Sequence, residues 1–120
     1  MNDTRQFLRE FNEYWVQEDI RAILNTVTDD ITFSMIGGKS VSGKTEFEAF
    51  LGEMPDGNSD TSLSIANIIV DSDHAAVNGE ISMTDKEGQR KTYGFCDVYR
   101  LEDGKVAELT AYVHEINGDK

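Results

Sequence analysis

The spacing of apolar residues changes character along this chain, from steps of three and four near the start to alternation further on. Between Thr4 and Gln17, the residues Phe7, Leu8, Phe11, Tyr14 and Trp15 recur at steps of one, three and four, the stripe of an amphipathic helix. Asp3 or Thr4 is placed to cap it. Ile20, Ile23, Leu24 and Val27 repeat the spacing after Asp19, which predicts a second short helix beyond a break at Glu18-Asp19. Asp29-Asp30 then ends the helical pattern, and residues 31–36 alternate β-branched and aromatic side chains as a strand does, until Gly37-Gly38 stops them. Thr45 with Glu48 three residues on reads as a capping box ahead of Phe47, Phe50, Leu51 and Met54, so a third helix is expected to about Met54. Pro55-Asp56-Gly57-Asn58 turns the chain.

Everything after Asp60 reads as strand and turn, with strands over 61–70, 75–84, 91–101 and 105–116. The connections at Asp71-Ser72-Asp73, Asp85-Lys86-Glu87-Gly88 and Glu102-Asp103-Gly104 are short enough to join antiparallel neighbours. The resulting order, α-β-α-β-β-β-β with a leading helix pair, predicts an α+β fold with a mainly antiparallel sheet. At 120 residues, residues 1–120 are expected to form one domain.

Charge narrows the partners. Eleven Lys and Arg stand against 23 Asp and Glu, a formal net charge of −12, which repels phosphate backbones and anionic lipid, so neither nucleic acid nor a membrane is expected. The first residues lack a basic segment followed by an apolar one, and no run is long enough to span a bilayer, so the expected location is the cytoplasm. Cys96 is the single cysteine; an internal disulfide or a thiolate-pair zinc site is excluded, and the residue reads as a small buried apolar group.

One motif points elsewhere. Gly38-Lys39-Ser40-Val41-Ser42-Gly43-Lys44-Thr45 matches the phosphate-binding loop pattern, and Ile68-Ile69-Val70-Asp71 resembles a strand ending in a magnesium-binding aspartate. The context is wrong for that chemistry. The residues that follow form hairpins, whereas a nucleotide fold needs further parallel βαβ units, so the motif is expected to be a turn with two glycines and a helix start.

Asp19-Ile20-Arg21-Ala22-Ile23, Asp29-Asp30-Ile31-Thr32-Phe33, the glycine-bounded turn from Gly38 to Gly43, and the closing hairpin from Cys96 through Asp103-Gly104 to Val106 follow one another in an order that spans the whole chain. In this order and spacing the sequence resembles the nuclear transport factor 2-like superfamily, which includes SnoaL-like polyketide cyclases and ketosteroid isomerases. The resemblance implies a cone-shaped, curved sheet with three helices closing a pocket, and it leaves the function open because the fold hosts unrelated chemistries.

Strand alternation puts Phe95, Asp97 and Tyr99 on one face and Cys96, Val98 and Arg100 on the other. The resemblance turns the Asp97 face inward, together with Leu109, Ala111 and Val113 of the last strand and Phe33 and Met35 of the first. Asp97 is thereby the candidate acid/base, since a carboxyl lodged among apolar side chains loses solvation and titrates nearer neutrality. It also falls at the place of the protonated aspartate of ketosteroid isomerase, a worked case of this effect. The ordinary alternative is a buried aspartate hydrogen-bonded to a tyrosine, holding the strand in register. Two other aligned places are apolar. Met35 stands where that enzyme has its general base, and Phe11 where it has its oxyanion tyrosine, so the resemblance does not carry steroid isomerisation over. Tyr14 lies on the same helix as Phe11, three residues on.

The expected ligand contacts are Phe11, Trp15, Phe33, Met35, Phe95, Tyr99, Ala111 and Val113, with Trp15 read equally as helix packing. His74 reads as a solvated turn residue and His114 as an outer-face residue, so no metal site and no cofactor are expected. Three functions remain: a protein that binds a small apolar or polycyclic molecule, a cofactor-free isomerase, cyclase or dehydratase using Asp97, and an interaction module. For the last, the outer sheet face bearing Cys96, Val98, Tyr112 and Ile116 is expected to pair two subunits.

Overall fold

A computed structural model describes residues 3–53, 61–84 and 87–116. The expected turn at Pro55-Asp56-Gly57-Asn58 and the helix end at Met54 fall outside these residues, as does part of the turn at Asp85-Lys86. The elements are α1 (Thr4–Gln17), α2 (Ile20–Asn25), β1 (Val27–Met35), β2 (Ser40–Ser42), α3 (Lys44–Glu53), β3 (Ser62–Asp71), β4 (His74–Thr84), β5 (Arg90–Glu102) and β6 (Lys105–Ile116).

The Asp3 carboxylate accepts from the Gln6 amide at 3.2 Å and caps α1. Glu18 then takes a left-handed conformation, φ 59°, and the Asp19 amide closes back on the Tyr14 carbonyl at 2.9 Å. Asp19 at once caps α2 by accepting from the Ala22 amide at 3.2 Å. A single left-handed residue thus separates the two helices, as the break at Glu18-Asp19 predicts.

The second helix ends earlier than its apolar spacing predicts. Thr26 closes it, with its amide on the Ile23 carbonyl and its hydroxyl on the Ala22 carbonyl, and the Thr26 carbonyl accepts from the Val106 amide at 2.9 Å. Val27 therefore belongs to β1, and Asp29-Asp30, expected to end a helix, lie within the strand, where both side chains face solvent. The start of the third helix also differs from the expected Thr45 and Glu48 box. Gly43 accepts the first helical bond, from the Phe47 amide, and the carboxylate that reaches back is that of Glu46, accepting from the Ser42 amide at 3.0 Å.

The residues of the phosphate-loop pattern form a hairpin. Ser40–Ser42 is a strand, unforeseen in the sequence, that pairs with β1 through Thr32, Phe33 and Ser34. The Gly43 amide donates to the Ile31 carbonyl and Lys44 pairs with Asp29 at 3.5 Å. Gly37, at φ 84°, makes the hairpin turn, and Gly43, at φ 92°, makes the bend from β2 into α3.

The six strands form one curved, unclosed sheet in the order β2-β1-β6-β5-β4-β3. Strands β3 to β6 are an antiparallel meander, and β1 lies parallel to β6 with Phe33 opposite Leu109 and Met35 opposite Ala111. The helices cover one face, where Leu8 and Phe11 of α1, Ile23 of α2, and Phe47 and Leu51 of α3 meet Val27, Ile31, Val77, Tyr99, Val106 and Leu109 of the sheet. Each large apolar side chain so buried contributes about 1.5–3 kcal/mol, which fixes the helices on the sheet. No described helix is long and apolar enough to cross a membrane.

Candidate functional site

The core does not fill the space under the helices. Toward one end a cavity of about 200 Å³ remains between α1, α3 and the concave face of the sheet. Alternation explains its sheet wall: Leu63, Ile81, Phe95, Asp97, Leu109, Ala111, Val113, Phe33 and Met35 all come from strand positions facing the helices. Asn12, Trp15 and Val16 of α1 and Phe50 of α3 complete it.

The aromatic wall is built from interlocked rings. Trp15 stacks on Phe33, centroids 5.9 Å apart with planes 26° apart, and Phe33 contacts Phe50 at 5.1 Å and Phe47 at 5.7 Å. Each such pair adds about 0.5–1.5 kcal/mol beyond its buried area, so this side of the cavity is rigid. Trp15 packs against the core from the helix stripe and also lines the cavity.

The sole ionisable group among these lining residues is Asp97. Burial pushes its carboxyl from 3.8 up to about 7, and a hydrogen bond with Tyr99 partly offsets that rise. Tyr99 is itself buried, and burial followed by the neighbouring Asp97 charge holds its phenol well above the usual range. The phenol oxygen accepts from Asn12 Nδ2 at 3.1 Å, while that same amide nitrogen donates to the Leu8 carbonyl at 2.8 Å. A polar chain from α1 to β5 thus ends in the cavity at Asp97, giving a carboxyl that exchanges its proton near neutral pH and is oriented from behind.

Of the expected contact residues, Trp15, Phe33, Met35, Phe95, Ala111 and Val113 line the cavity together with Asp97. Phe11 and Tyr99 do not line it. Phe11 is fully buried, edge-on to Tyr99 at 5.9 Å and to Trp15 at 6.2 Å, so both rings stand behind the wall. Tyr14 is packed at the margin of the core and does not line it either. Asn12, Val16, Phe50, Leu63 and Ile81 line the cavity without having been singled out in the sequence. Asn12 carried a signal, a polar residue one step from Phe11 on the core-facing stripe. The inward parity of Leu63 and Ile81 was readable only once the pairing of β3 with β4 was known.

His74 is exposed and bonded to Asp73 at 2.8 Å, and His114 stands on the outer face with Cys96 and Tyr112. Cys96 is half-buried there, more open than a core thiol, because the outer face carries no helix. Among the described residues, no three His, Cys, Asp or Glu side chains converge as metal ligands.

Known structures share this architecture. An NTF2-like protein of unknown function from Burkholderia pseudomallei K96243 superposes with a TM-score of 0.80 at 22% identity, over 92% of this chain and 90% of that one. A candidate SnoaL-like polyketide cyclase from Jannaschia sp. CCS1 gives 0.76 at 21% identity, over 92% and 83% of the two chains. An epoxide hydrolase of the LEH-like type from Mycobacterium tuberculosis gives 0.76 at 17% identity, over 90% and 80%. At such identities the likeness is one of fold. No curated protein matches the sequence significantly. The model of the SnoaL-like domain, however, matches residues 8–109, most of the chain, and the chain therefore belongs to the SnoaL-like family.

Proposed function

We propose that the protein binds a small, mostly apolar molecule in the concave cavity, with Asp97 as its polar handle. The observation that carries this reading is an apolar cavity of about 200 Å³ in which one carboxyl is the sole titratable group among the described lining residues. A dry cavity of roughly 150 Å³ is enough for benzene, so the volume fits one ring or a small bicyclic body better than a four-ring skeleton. Below pH 7 the protonated Asp97 donates to a carbonyl or ether oxygen; above it, the carboxylate accepts from a hydroxyl or N–H. Isothermal titration with phenol and with benzaldehyde tests the reading. Micromolar to millimolar binding that Ala111→Phe abolishes supports it, and equal binding by that variant overturns it.

A second reading is favoured by the elevated pKa of Asp97. A carboxyl poised near neutrality removes a proton from carbon and returns it elsewhere, which is a cofactor-free isomerisation, and related proton transfers serve cyclisation or dehydration. Several fold relatives bear enzyme names, a polyketide cyclase and an epoxide hydrolase among them. Asp97→Asn decides between the two: retained binding with loss of turnover favours the enzyme, and unchanged turnover removes it.

We also infer a homodimer through the outer sheet face, where Val98, Tyr112 and Ile116 are 39%, 46% and 37% exposed and the half-buried Cys96 lies among them. Sedimentation velocity at micromolar concentration is expected to show a dimer that Tyr112→Glu dissociates. A monomeric wild type would remove this inference.

A further inference from the structure

We propose that the ligand carries a short, uncharged polar arm, held in a second hollow between α1 and the β3 end of the sheet. The proposal rests on the cavity reading above and adds the chemistry of the ligand's other end. This hollow, about 260 Å³, is lined by Arg9, Glu13, Val16 and Gln17 of α1 and by Leu63 and Ile65 of β3. Val16 and Leu63 line the cavity as well, so the two hollows meet at this pair.

The helix presents a polar row toward β3. Arg5, Arg9, Glu13 and Gln17 follow at steps of four and share a face of α1. Arg5 is spent, since its guanidinium donates to the Ile68 carbonyl on the edge strand. Arg9 and Glu13 are exposed, and among the described residues neither has an ion-pair partner. They therefore bracket the hollow as one cation and one anion, a single helical turn apart.

This pairing of charges selects against charge in the ligand. A carboxylate arm is attracted by Arg9 and repelled by Glu13, an ammonium arm the reverse, and the two terms nearly cancel while either ion loses hydration. An amide escapes the conflict because its carbonyl accepts from Arg9 and its N–H donates to Glu13 or Gln17. Reach is adequate. One helical turn is roughly 5 Å, and three or four methylene groups cover the step from a ring in the cavity, past Val16 and Leu63, to Glu13.

The test is isothermal titration of the whole chain at one pH and low ionic strength with phenylbutanamide, phenylbutanoate, phenylbutylamine and, as a ring without an arm, toluene. Wild type is expected to bind the amide tightest. Glu13→Gln is expected to raise the preference for carboxylate over ammonium about five-fold and Arg9→Gln to lower it about five-fold, the size of a surface ion pair, while toluene binds all three proteins alike. Both positions are exposed on a helix, and circular dichroism checks that the variants are folded. If toluene binds but the preference is the same in all three proteins, the arm hollow is refuted and the cavity stands. If neither toluene nor any arm-bearing probe binds, the cavity reading falls and this one with it.

Discussion

Asn12 on the first helix and Tyr99 on the fifth strand, 87 positions apart in sequence, are joined by a buried hydrogen bond of 3.1 Å from the amide nitrogen to the phenol oxygen. The bond ties α1 to the middle of the sheet and aims the tyrosine at Asp97. Replacing Asn12 by Ala removes the donor, leaves the phenol oxygen short of a partner in an apolar setting, and opens a small void. A loss of about 1–3 kcal/mol is expected, read as a lower midpoint in urea with an unchanged slope. A change below a few tenths of a kcal/mol would mean the bond is not formed in solution.

The second prediction concerns pH. Asp97 in the folded protein titrates at about 7, above its unfolded value of 3.8, so between these limits the folded state holds the extra proton. Its favourable contribution is full below pH 4 and is lost as pH rises through 7. Wild type is therefore expected to lose stability over that window relative to Asp97→Asn, by at most a few kcal/mol. Parallel stability profiles for the two proteins would contradict the raised value. In Tyr99→Phe the hydrogen bond that lowers the Asp97 pKa is gone, and the falling limb is expected to extend to higher pH.

Third, Phe11 and Met35 are separable, although the resemblance aligns both with catalytic positions of a known enzyme. Phe11 is fully buried behind the wall, so Phe11→Ala is expected to cost about 3–5 kcal/mol whatever the ligand does. Met35 is half-buried and lines the cavity, so Met35→Ala is expected to cost less and to change which probes bind, bulkier rings gaining most. Thermal melts with and without phenol distinguish the two effects. Equal destabilisation with equal ligand response would put both residues in the same layer.

What the sequence made legible follows the range of each signal. Helix α1 and the four-strand meander are written in local periodicity, which put Phe95, Asp97 and Tyr99 on one face, but the β5/β6 register shifts by one residue between Arg100 and Leu101, so it was the resemblance and not the turn that set Ala111 and Val113 beside them. The start of β1 was not. Val27 continues the helical stripe of Ile20, Ile23 and Leu24, and only the Thr26 bond to the distant Val106 amide turns it into a strand residue. Strand β2 is three residues inside a glycine turn and exists because β1 offers it an edge. Asn12 and Val16 joined the cavity because α1 packs against β3, a long-range contact that has no local signature.

The last prediction uses two glycines with opposite surroundings. A β-carbon on Gly79 would overlap the Ser64 carbonyl oxygen and come within 2.9 Å of the Ile65 α-carbon, backbone atoms that cannot swing aside. The reason lies in the pairing, since β3 carries a register shift between Ile65 and Asn67 and its backbone crowds the partner strand where Gly79 pairs with Ile65. Gly52, on the exposed side of α3, has nothing within 4 Å of its would-be β-carbon. Gly52→Ala is therefore expected to stabilise the protein by up to about 1 kcal/mol through helix propensity, and Gly79→Ala to destabilise it by about 2 kcal/mol or more. Because Ile65 and Leu63 line the hollow beside α1, Gly79→Ala is also expected to weaken phenylbutanamide more than toluene. Urea melts of both variants and titration of the two probes check this. If Gly79→Ala is as stable as wild type, β3 is free to shift away from β4 there, and the close approach of the two backbones does not require a glycine.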